Sequence, residues 1–355
     1  MASRSSIAAL IKEQIPAFSF EHAEVPFERL GVDNFGLLAL RASVEQDAGR
    51  PIEDHLWLEA KTPGQLLSLF DDGKDARAAA ADGKQVDVRR RYRLNMPQMA
   101  LGGLSESWLF KELGDLHWSM ITSGLGVSSS ALCDGNGSRL YATFTRLRIE
   151  ATCPLLAFVE NEDVSLHGAI ERFGAGMFFS TISLQGPAKA IRASAMSSFT
   201  KRGASNGNTS LLKGQAVIPP GCRIRELQAM PEIGDGYRLR RKSTPAPALF
   251  ETEYEFIPYH DINGVGLLYF AAYPTISDIC ELRYMGLGNQ WALTASSVSR
   301  DIFYFANSDI HDRLIYRVHS RKDRPGEIEI ESSLSRASDG TLMAYLVTKK
   351  AVTRA

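Results

Sequence analysis

Two glycine-containing turns, each placed just before a helix-like pattern, hold the residues with the clearest capacity for chemistry. Gly102 and Gly103 precede Ser105 in the first turn, and Asn263 precedes Gly264 in the second. Backbone N–H groups at a helix start can stabilise a negatively charged oxygen, and the Ser105 hydroxyl and Asn263 amide could assist them. Tight turns without a ligand explain these glycines equally well, and a turn-capping role explains Asn263.

Few residues are candidates for proton transfer. His117 could act as a general base, although a His beside Trp118 at a helix end is more often a structural hydrogen-bonding group. Asp278 and Glu281 are candidate acids, but charges on a helix surface are the more common case. The sequence has no recognisable Ser-His-Asp spacing, glycine-rich nucleotide loop or metal-ligand set. We therefore predict no metal site and no tightly bound cofactor.

Two basic clusters are candidates for contacting phosphates or the acidic helix of a protein partner. They consist of Lys201, Arg202 and Lys213, and of Arg238, Arg240, Arg241 and Lys242. A solvated surface is the more common explanation of such clusters. If they bind substrate, we expect Lys201, Arg202 and Arg240 to contact it.

The elements that must position these residues recur along the chain. Setting Pro97 on Pro258, a shift of 258 − 97 = 161 residues, places Gly103 on Gly264. A second similarity follows each copy. In both cases a glycine turn precedes a strand-like run, GSRLYATFTRLRI after the first copy and GTLMAYLVTKKAV after the second. Two similar units of roughly 150 residues therefore indicate a duplication into like halves.

Within each unit the pattern combines one long helix with many strands. Ser105 can cap the first helix, Trp108 lies on its apolar face, and Gly114 can end it. Alternating strand patterns prevail from Tyr92 onward, which favours a curved antiparallel sheet around a central helix, present twice. The Gly- and Ser-rich segment 201–214 is either a surface insertion or a gate over a site.

Composition limits the function classes. The chain has 355 residues, is 44% hydrophobic and has a net charge of −1, so nucleic acid is not an expected partner. It contains no run of 18 apolar residues, and its start is too polar for a secretory signal. The cysteines, Cys133, Cys153, Cys222 and Cys280, are scattered. We expect a cytoplasmic protein that does not bind membranes.

The first 70 residues resemble an acyl carrier protein of polyketide or fatty-acid synthesis. The resemblance rests on the runs LGVDNF from Leu30, LR from Leu40 and TPGQL from Thr62. In that family a serine after the motif Asp carries phosphopantetheine, whereas this chain has Asn34, which cannot form the phosphodiester. Phosphopantetheine would be expected only with serine at position 34. Either the domain is a natural docking module or a serine was replaced, and the intact motif favours replacement.

Residues 92–350 resemble the bifunctional acyltransferase/decarboxylase of leinamycin-type polyketide pathways. The matching runs are MPQMALGGLSESWLFKELGDLHW, LYATFTRLRI and NGVGLLYFAAYP. Members of that family are double hot-dog proteins that decarboxylate methylmalonyl-CoA and deliver propionyl to a carrier protein. The resemblance implies that Tyr141 accepts the acyl group and that coenzyme A enters only as a thioester substrate. Decarboxylation leaves an enolate, which the helix-start N–H groups and Asn263 would stabilise.

Together these observations predict an α+β chain with a four-helix carrier-like bundle at residues 1–70 and a linker at 71–91. A double hot-dog domain follows at 92–355, with halves of about 92–245 and 246–355. The expected partners are methylmalonyl-CoA, a carrier protein in cis or in trans, and polyketide synthase components in natural-product biosynthesis. The resemblance also allows a homodimer. A hot-dog dehydratase or thioesterase is the enzyme alternative, and a non-catalytic docking module is the other.

Overall fold

The computed structural model of the chain describes residues 4–15, 18–32, 34–48, 52, 54–70, 86–101, 103–203, 208 and 211–352. The chain divides into two units, Met1–Asp82 and Gly83–Ala355, each with its own buried apolar cluster. The predicted linker is too long at its C-terminal end, because residues 87–91 belong to a strand. Residues 71–85 of that linker lie outside the described residues.

The first unit is helical in its described part. Its helices are α1 (Arg4–Gln14), α2 (Asn34–Ala48), α3 (Asp54–Glu59) and α4 (Pro63–Ser68). Leu40 and Val44 of α2 are buried because residues four apart share one helix face. Thr62 caps α4 as predicted, and its hydroxyl oxygen accepts the Gln65 N–H at 3.2 Å.

The second unit begins with a strand, a hairpin and a long helix, followed by a run of strands. These elements are β1 (Asp87–Arg93), β2 (Met99–Ala100), β3 (Gly103–Leu104), α5 (Glu106–Leu125), β4 (Tyr141–Ala151), β5 (Asp163–Phe173), β6 (Met177–Gln185) and β7 (Ala190–Lys201). Two short strands and a helix complete the first half: β8 (Leu212–Lys213), β9 (Arg225–Glu226) and α6 (Glu232–Lys242).

The second half repeats this order of strand, turn, helix and four strands. Its elements are β10 (Phe250–Glu255), α7 (Pro258–Asp261), α8 (Tyr273–Met285), α9 (Asn289–Thr294), β11 (Ala295–Tyr304), β12 (Arg313–Arg324), β13 (Glu327–Arg336) and β14 (Leu342–Val352). Among the described residues, no helix is both long and apolar enough to cross a membrane.

The strands of both halves form one continuous sheet in the order β1-β5-β6-β7-β4-β11-β14-β13-β12-β10. The prediction of two separate sheets is therefore corrected, because antiparallel pairing of β4 with β11 joins them. The helices α5 and α8 contact each other and share one apolar cluster with the strands of both halves. This mixed fold places the start of each central helix against strands of the other half.

The repeat holds in topology but not in every residue pair. Pro97 and Pro258 each lie in the first turn of a short helical segment, as the 161-residue shift predicts. The hairpin that follows is longer in the second half, where Ile262 pairs with Leu268. Setting Leu104 on Leu268 gives a shift of 268 − 104 = 164 residues for the central helices.

Two other sequence expectations about elements are wrong. Gly114 lies in the middle of α5, and Gly126 ends the helix with a φ of 68°. The second sequence similarity matches β4 with β14. The strand that follows the second central helix, and therefore corresponds to β4, is β11. An alternating apolar run is typical of any central strand. The similarity between the two runs therefore shows that both strands lie inside the sheet, not that they occupy equivalent positions in the two halves.

Candidate active site

The second unit contains a cavity of about 630 Å³ beside the start of α8. It lies where the two halves meet, because β4 and β7 line one side while the 263–268 hairpin and the end of β11 line the other. Its aromatic and aliphatic lining residues are Phe144, Phe173, Met177, Met196, Phe199, Leu267, Leu268, Phe270, Tyr273, Tyr304 and Phe305. Such a space suits an acyl chain or another slender, largely apolar group.

Asn263 is one of the polar residues that line this cavity. Its Oδ1 accepts the N–H groups of Val265 and Leu267 at 3.1 and 3.0 Å, which shapes the hairpin turn. The predicted turn-capping role is therefore confirmed for the oxygen. Within the described part of the chain the amide nitrogen of Asn263 has no partner, so it remains able to donate to a ligand.

Two further asparagines, which the sequence analysis missed, fix the hairpin. The Oδ1 of Asn307 accepts the Leu268 N–H at 3.0 Å, and the amide nitrogen of Asn208 donates to the carbonyls of Gly266 and Ser308. Neither asparagine belongs to a recognisable sequence motif. Only the enrichment of Asn in turns could have suggested them.

The acid–base character of the larger cavity is unusual for an enzyme site. Its described lining contains no Asp, Glu, His or Cys. Its cationic residues are Lys213, Arg241 and Arg336, and Arg336 is paired with Asp339 at 2.8 Å. Burial raises the pKa of the Tyr273 hydroxyl, so that group is neutral at physiological pH.

A smaller cavity of about 190 Å³ lies beside the start of α5, at the position related to the larger one by the repeat. Glu106 of α5, Asp278 of α8 and Lys350 of β14 supply its charged lining. Trp291 also lines it, and its indole N–H has no hydrogen-bond partner among the described residues. The two helix-start cavities therefore differ in chemistry: the smaller one is lined by two acids and a lysine, whereas the described lining of the larger one has cations but no acid.

Buried ion pairs connect the residues of the smaller cavity. Arg300 of β11 is fully buried and binds Glu106 and Asp278, the latter at 2.7 Å. Lys350 binds Asp278 at 2.7 Å and Glu281 at 2.6 Å. Burial alone would raise the pKa of Asp278, but Arg300 and Lys350 outweigh it and lower this pKa to about 2. Interpreting Glu281 as a helix-surface charge is thus wrong, since it is fully buried, whereas the Asp278 side chain is 39% exposed.

The sequence contained one indication of this network. Lys350 lies in the strand LMAYLVTKKAV at the same alternation phase as the buried Leu346 and Thr348, which places its side chain inward. A charged residue at an inward position requires a buried partner. Sequence alone does not give the identity of that partner, because Asp278 and Glu281 are about 70 residues away.

His117 does not face either cavity. Its ring nitrogens lie 2.7 Å from the hydroxyls of Ser180 and Ser197, and only 1% of the residue is exposed. Burial lowers the pKa of His117 to about 3. The structural role that the sequence analysis weighed therefore applies, and the general-base role is corrected.

The glycine-turn residues take different roles. Ser105 caps α5 by accepting the Trp108 N–H at 3.2 Å, as predicted. Gly103 has a φ of 95°, and a Cβ there would collide with the backbone of residues 155–156, so packing explains this glycine. Gly264 is exposed in the hairpin turn, with open space where a Cβ would lie. Gly102 lies outside the described residues.

Tyr141 begins β4 at the edge of the larger cavity without lining it. Its register partner is Thr200, and Thr143 shares its sheet face because side chains alternate along a strand. Both threonines line the cavity. The Arg139 guanidinium lies 5.3 Å from the centre of the Tyr141 ring.

The basic residues predicted to contact substrate have other partners. Lys201 pairs with Asp134 at 2.6 Å, and Arg202 donates to the Val265 carbonyl. The Arg240 guanidinium lies 4.1 Å from the centre of the Tyr345 ring on the sheet. None of the three lines the larger cavity. In the first unit, Asn34 is the first residue of α2.

No family model matches the chain, and no curated protein matches it. Solved structures do resemble it. An assigned oleoyl thioesterase from Lactobacillus plantarum has a TM-score of 0.55 at 9% identity, covering 76% of this chain and 97% of that one. A 12:0-ACP thioesterase from Umbellularia californica has a TM-score of 0.52 at 10% identity, covering 76% of this chain and 95% of that one.

An acyl-ACP thioesterase from Bacteroides thetaiotaomicron reaches a TM-score of 0.50 at 15% identity, covering 74% of this chain and 97% of that one. Identities this low establish the fold alone. The strand–helix–strands order, present twice in one sheet, is the hot-dog arrangement shared with these proteins.

Proposed function

We propose that this protein decarboxylates a malonyl-type thioester, methylmalonyl-CoA, and transfers the resulting propionyl group to the phosphopantetheine thiol of a carrier protein. The hot-dog neighbours named as acyl-ACP thioesterases support a thioester substrate. The resemblance of residues 92–350 to acyltransferase/decarboxylases supports the choice of reaction.

The composition of the larger cavity carries the proposal. Hydrolysis and dehydration both need a residue that moves a proton or attacks the substrate, commonly Asp, Glu, His or Cys. The described lining of the larger cavity has none of these. Decarboxylation needs no base, because loss of CO₂ leaves the C–C bonding electrons on the substrate and no proton has to be removed. A donor for the resulting oxyanion in a poorly solvated space is sufficient.

The proposed first step is the loss of CO₂ from the bound thioester, which needs no second reactant. The C–C bond to the carboxylate breaks, CO₂ departs, and the bonding electron pair forms the thioester enolate. The amide nitrogen of Asn263 donates a hydrogen bond to the enolate oxygen, while Phe144 and Phe270 provide an environment that solvates the carboxylate poorly. A proton from water at the α-carbon then gives the propionyl thioester.

Tyr141 is the proposed acyl acceptor in the second step. Its phenolic oxygen attacks the propionyl carbonyl, and the thiolate of coenzyme A leaves and takes up the phenolic proton. A carrier thiol later takes the acyl group from the tyrosyl ester and returns a proton to the tyrosine oxygen. The position of Tyr141 beside Thr143 and Thr200 at the cavity edge supports this role. Because Tyr141 does not line the cavity, we assign it a role in acyl transfer and none in decarboxylation.

The carrier is proposed to be an acyl carrier protein like the one that residues 1–70 resemble. Asn34 lacks the hydroxyl that phosphopantetheine requires, so a carrier in trans must serve as acceptor for the chain as it stands. Other components of a polyketide synthase would supply that carrier.

The decarboxylation test is incubation with methylmalonyl-CoA, followed by mass spectrometry of the thioester and measurement of released CO₂. The wild type should yield propionyl-CoA. Asn263→Asp keeps the turn-shaping oxygen but removes the amide donor, so kcat should fall by about 10²–10³-fold. Asn136→Asp, at an exposed turn, is the matched control and should retain activity. Intact methylmalonyl-CoA with the wild type would refute the decarboxylase and favour a docking module or another thioester enzyme.

The transfer test uses Asn34→Ser treated with a phosphopantetheinyl transferase. Propionyl should appear on this carrier after incubation with methylmalonyl-CoA, and Tyr141→Phe in the same background should abolish it while CO₂ release continues. Propionyl that still accumulates in the double variant would instead establish direct exchange between the two thiols.

Thioester hydrolysis is the second candidate, favoured by the carboxylates of Glu106 and Asp278 in the smaller cavity. It predicts release of free acid from acyl thioesters without CO₂, at a rate that depends on these carboxylates and not on Asn263.

A further inference from the structure

Two cationic residues from different elements lie where the larger cavity meets solvent. Lys213 belongs to β8, which pairs with β7, and Arg241 belongs to the last turn of α6. Both residues are exposed and both line the cavity. They therefore mark its rim.

Within the described part of the chain, neither of these two cations has an acidic partner. Several of their basic neighbours are engaged elsewhere. Lys201 is neutralised by Asp134, Arg336 by Asp339, and Arg240 packs on the Tyr345 ring. Arg241 also lies near the Tyr237 hydroxyl, whose pKa burial raises and Arg241 partly lowers. Unpaired cations that share one rim attract an anion.

The cavity behind the rim identifies the class of anion. A ligand must present a negative group at the opening and extend a slender, largely uncharged chain toward Phe270 and Asn263. The phosphopantetheine arm has this form, with a phosphate at one end and an acyl thioester at the other. A malonyl-type acid alone would leave the rim unoccupied.

We infer that Lys213 and Arg241 bind the phosphate of a phosphopantetheine arm, whether that arm belongs to coenzyme A or to a loaded carrier. The inference rests on the proposed thioester function. It assigns the phosphate contact to Lys213 and Arg241 in place of the sequence-predicted Lys201, Arg202 and Arg240. Arg241 offers several donors to phosphate oxygens and Lys213 adds a point charge. The arm then runs inward and places its thioester against the Asn263 amide.

The test compares methylmalonyl-CoA and methylmalonyl-phosphopantetheine, which keeps only the pantetheine phosphate, with methylmalonyl-pantetheine, which has no phosphate. In Lys213→Ala/Arg241→Ala the KM for both phosphate-bearing thioesters should rise by roughly tenfold, with kcat little changed, because charge-assisted phosphate contacts are lost. The KM for the pantetheine thioester should stay at the wild-type value. Arg238→Ala/Lys242→Ala also removes two positive charges, both from α6, at positions that do not line the cavity, and is the control.

Equal KM values for the variant and wild type with methylmalonyl-phosphopantetheine, or equal losses with all three substrates, would overturn the inference while leaving the decarboxylase intact. If the wild type turns over none of these thioesters, titration calorimetry with coenzyme A and with pantetheine decides the question without turnover. Wild-type binding of coenzyme A that the variant loses supports the phosphate site, and binding unaffected by the variant overturns it. Transfer to a phosphopantetheine-loaded carrier, measured with the same variants, distinguishes the two sources of the arm.

Discussion

At the residue scale, the two central helices hold polar groups at corresponding buried positions and use them differently. His117 of α5 corresponds to Glu281 of α8, since 281 − 117 = 164 is the shift of the central helices. His117 is held neutral between two serine hydroxyls, whereas Glu281 is charged against Lys350. One half therefore satisfies its buried polar residue with neutral hydrogen bonds and the other with an ion pair.

The neutral state of His117 predicts a pH-dependent stability. In the unfolded chain a histidine binds a proton below about pH 6.5, but in the fold His117 resists protonation until about pH 3. The unfolded state thus binds more protons between these values, and stability should decrease as pH falls, by up to about 1.4 kcal/mol per unit. Urea unfolding from pH 4 to 7 measures this slope.

His117→Gln should flatten that slope and should not affect the proposed decarboxylation, because His117 lines neither cavity. The exposed His311, replaced as His311→Gln, is the control and should keep the wild-type slope. A kcat that falls in parallel with His117→Gln would contradict the structural role and restore the general base.

Residue types alone predicted some roles and not others. Ser105 at the start of α5 and Thr62 at the start of α4 were predictable as caps, because a cap depends on residues three positions away. The environment of His117 was not predictable, because Ser180 and Ser197 come from distant strands. Local hydrogen bonds can be predicted from sequence, whereas burial of a polar residue depends on which strands cover it.

At the element scale, the contact between α5 and the segment leading into α8 depends on one glycine. A Cβ on Gly114 would collide with the ring of Phe270, which packs against α5 and lines the larger cavity. The sequence analysis placed the helix end at Gly114 because glycine commonly ends helices. Glycine is equally required where an aromatic ring approaches a helix backbone, and that requirement is visible only after the second half is folded against the first.

Gly114→Ala should therefore destabilise the protein, although Ala is favoured over Gly by about 1 kcal/mol in an open helix. Overpacking against Phe270 should cost about 1–3 kcal/mol, and the displaced ring should also lower turnover in the larger cavity. Chemical unfolding and kcat measure the two effects. In a Phe270→Ala background the same substitution should become neutral or stabilising, and a cost that persists there would rule out this contact as its cause.

At the scale of the whole second unit, the two halves share one architecture but differ in the residues that line their cavities. Both halves have the same order of strand, hairpin, central helix and strands, and their sheets join through β4 and β11. Each half therefore creates a cavity at a central helix start. One cavity contains buried ion pairs and the other contains an apolar space with an asparagine amide. The repeat was predictable from spacing, but this division of chemistry was not, because it depends on which side chains of opposite halves meet.

Arg300 is the residue that most directly ties the halves together. It lies on β11 of the second half, is fully buried, and binds Glu106 on α5 of the first half as well as Asp278 on α8. Arg300→Met keeps the volume but leaves these carboxylates without their main counter-charge, so the free energy of unfolding should fall by about 3–5 kcal/mol.

Arg148→Met on the neighbouring strand β4 is the matched control. Arg148 is paired with Glu150 at a partly exposed position, where the loss should be about 0–1 kcal/mol. Urea unfolding at neutral pH measures both variants. A small loss in Arg300→Met would mean that the Arg300 ion pairs add little to the apolar packing and β4–β11 strand pairing that join the halves. In that case a triple variant with Glu106→Gln and Asp278→Asn should be at least as stable as the wild type, because no buried charge would then lack a partner.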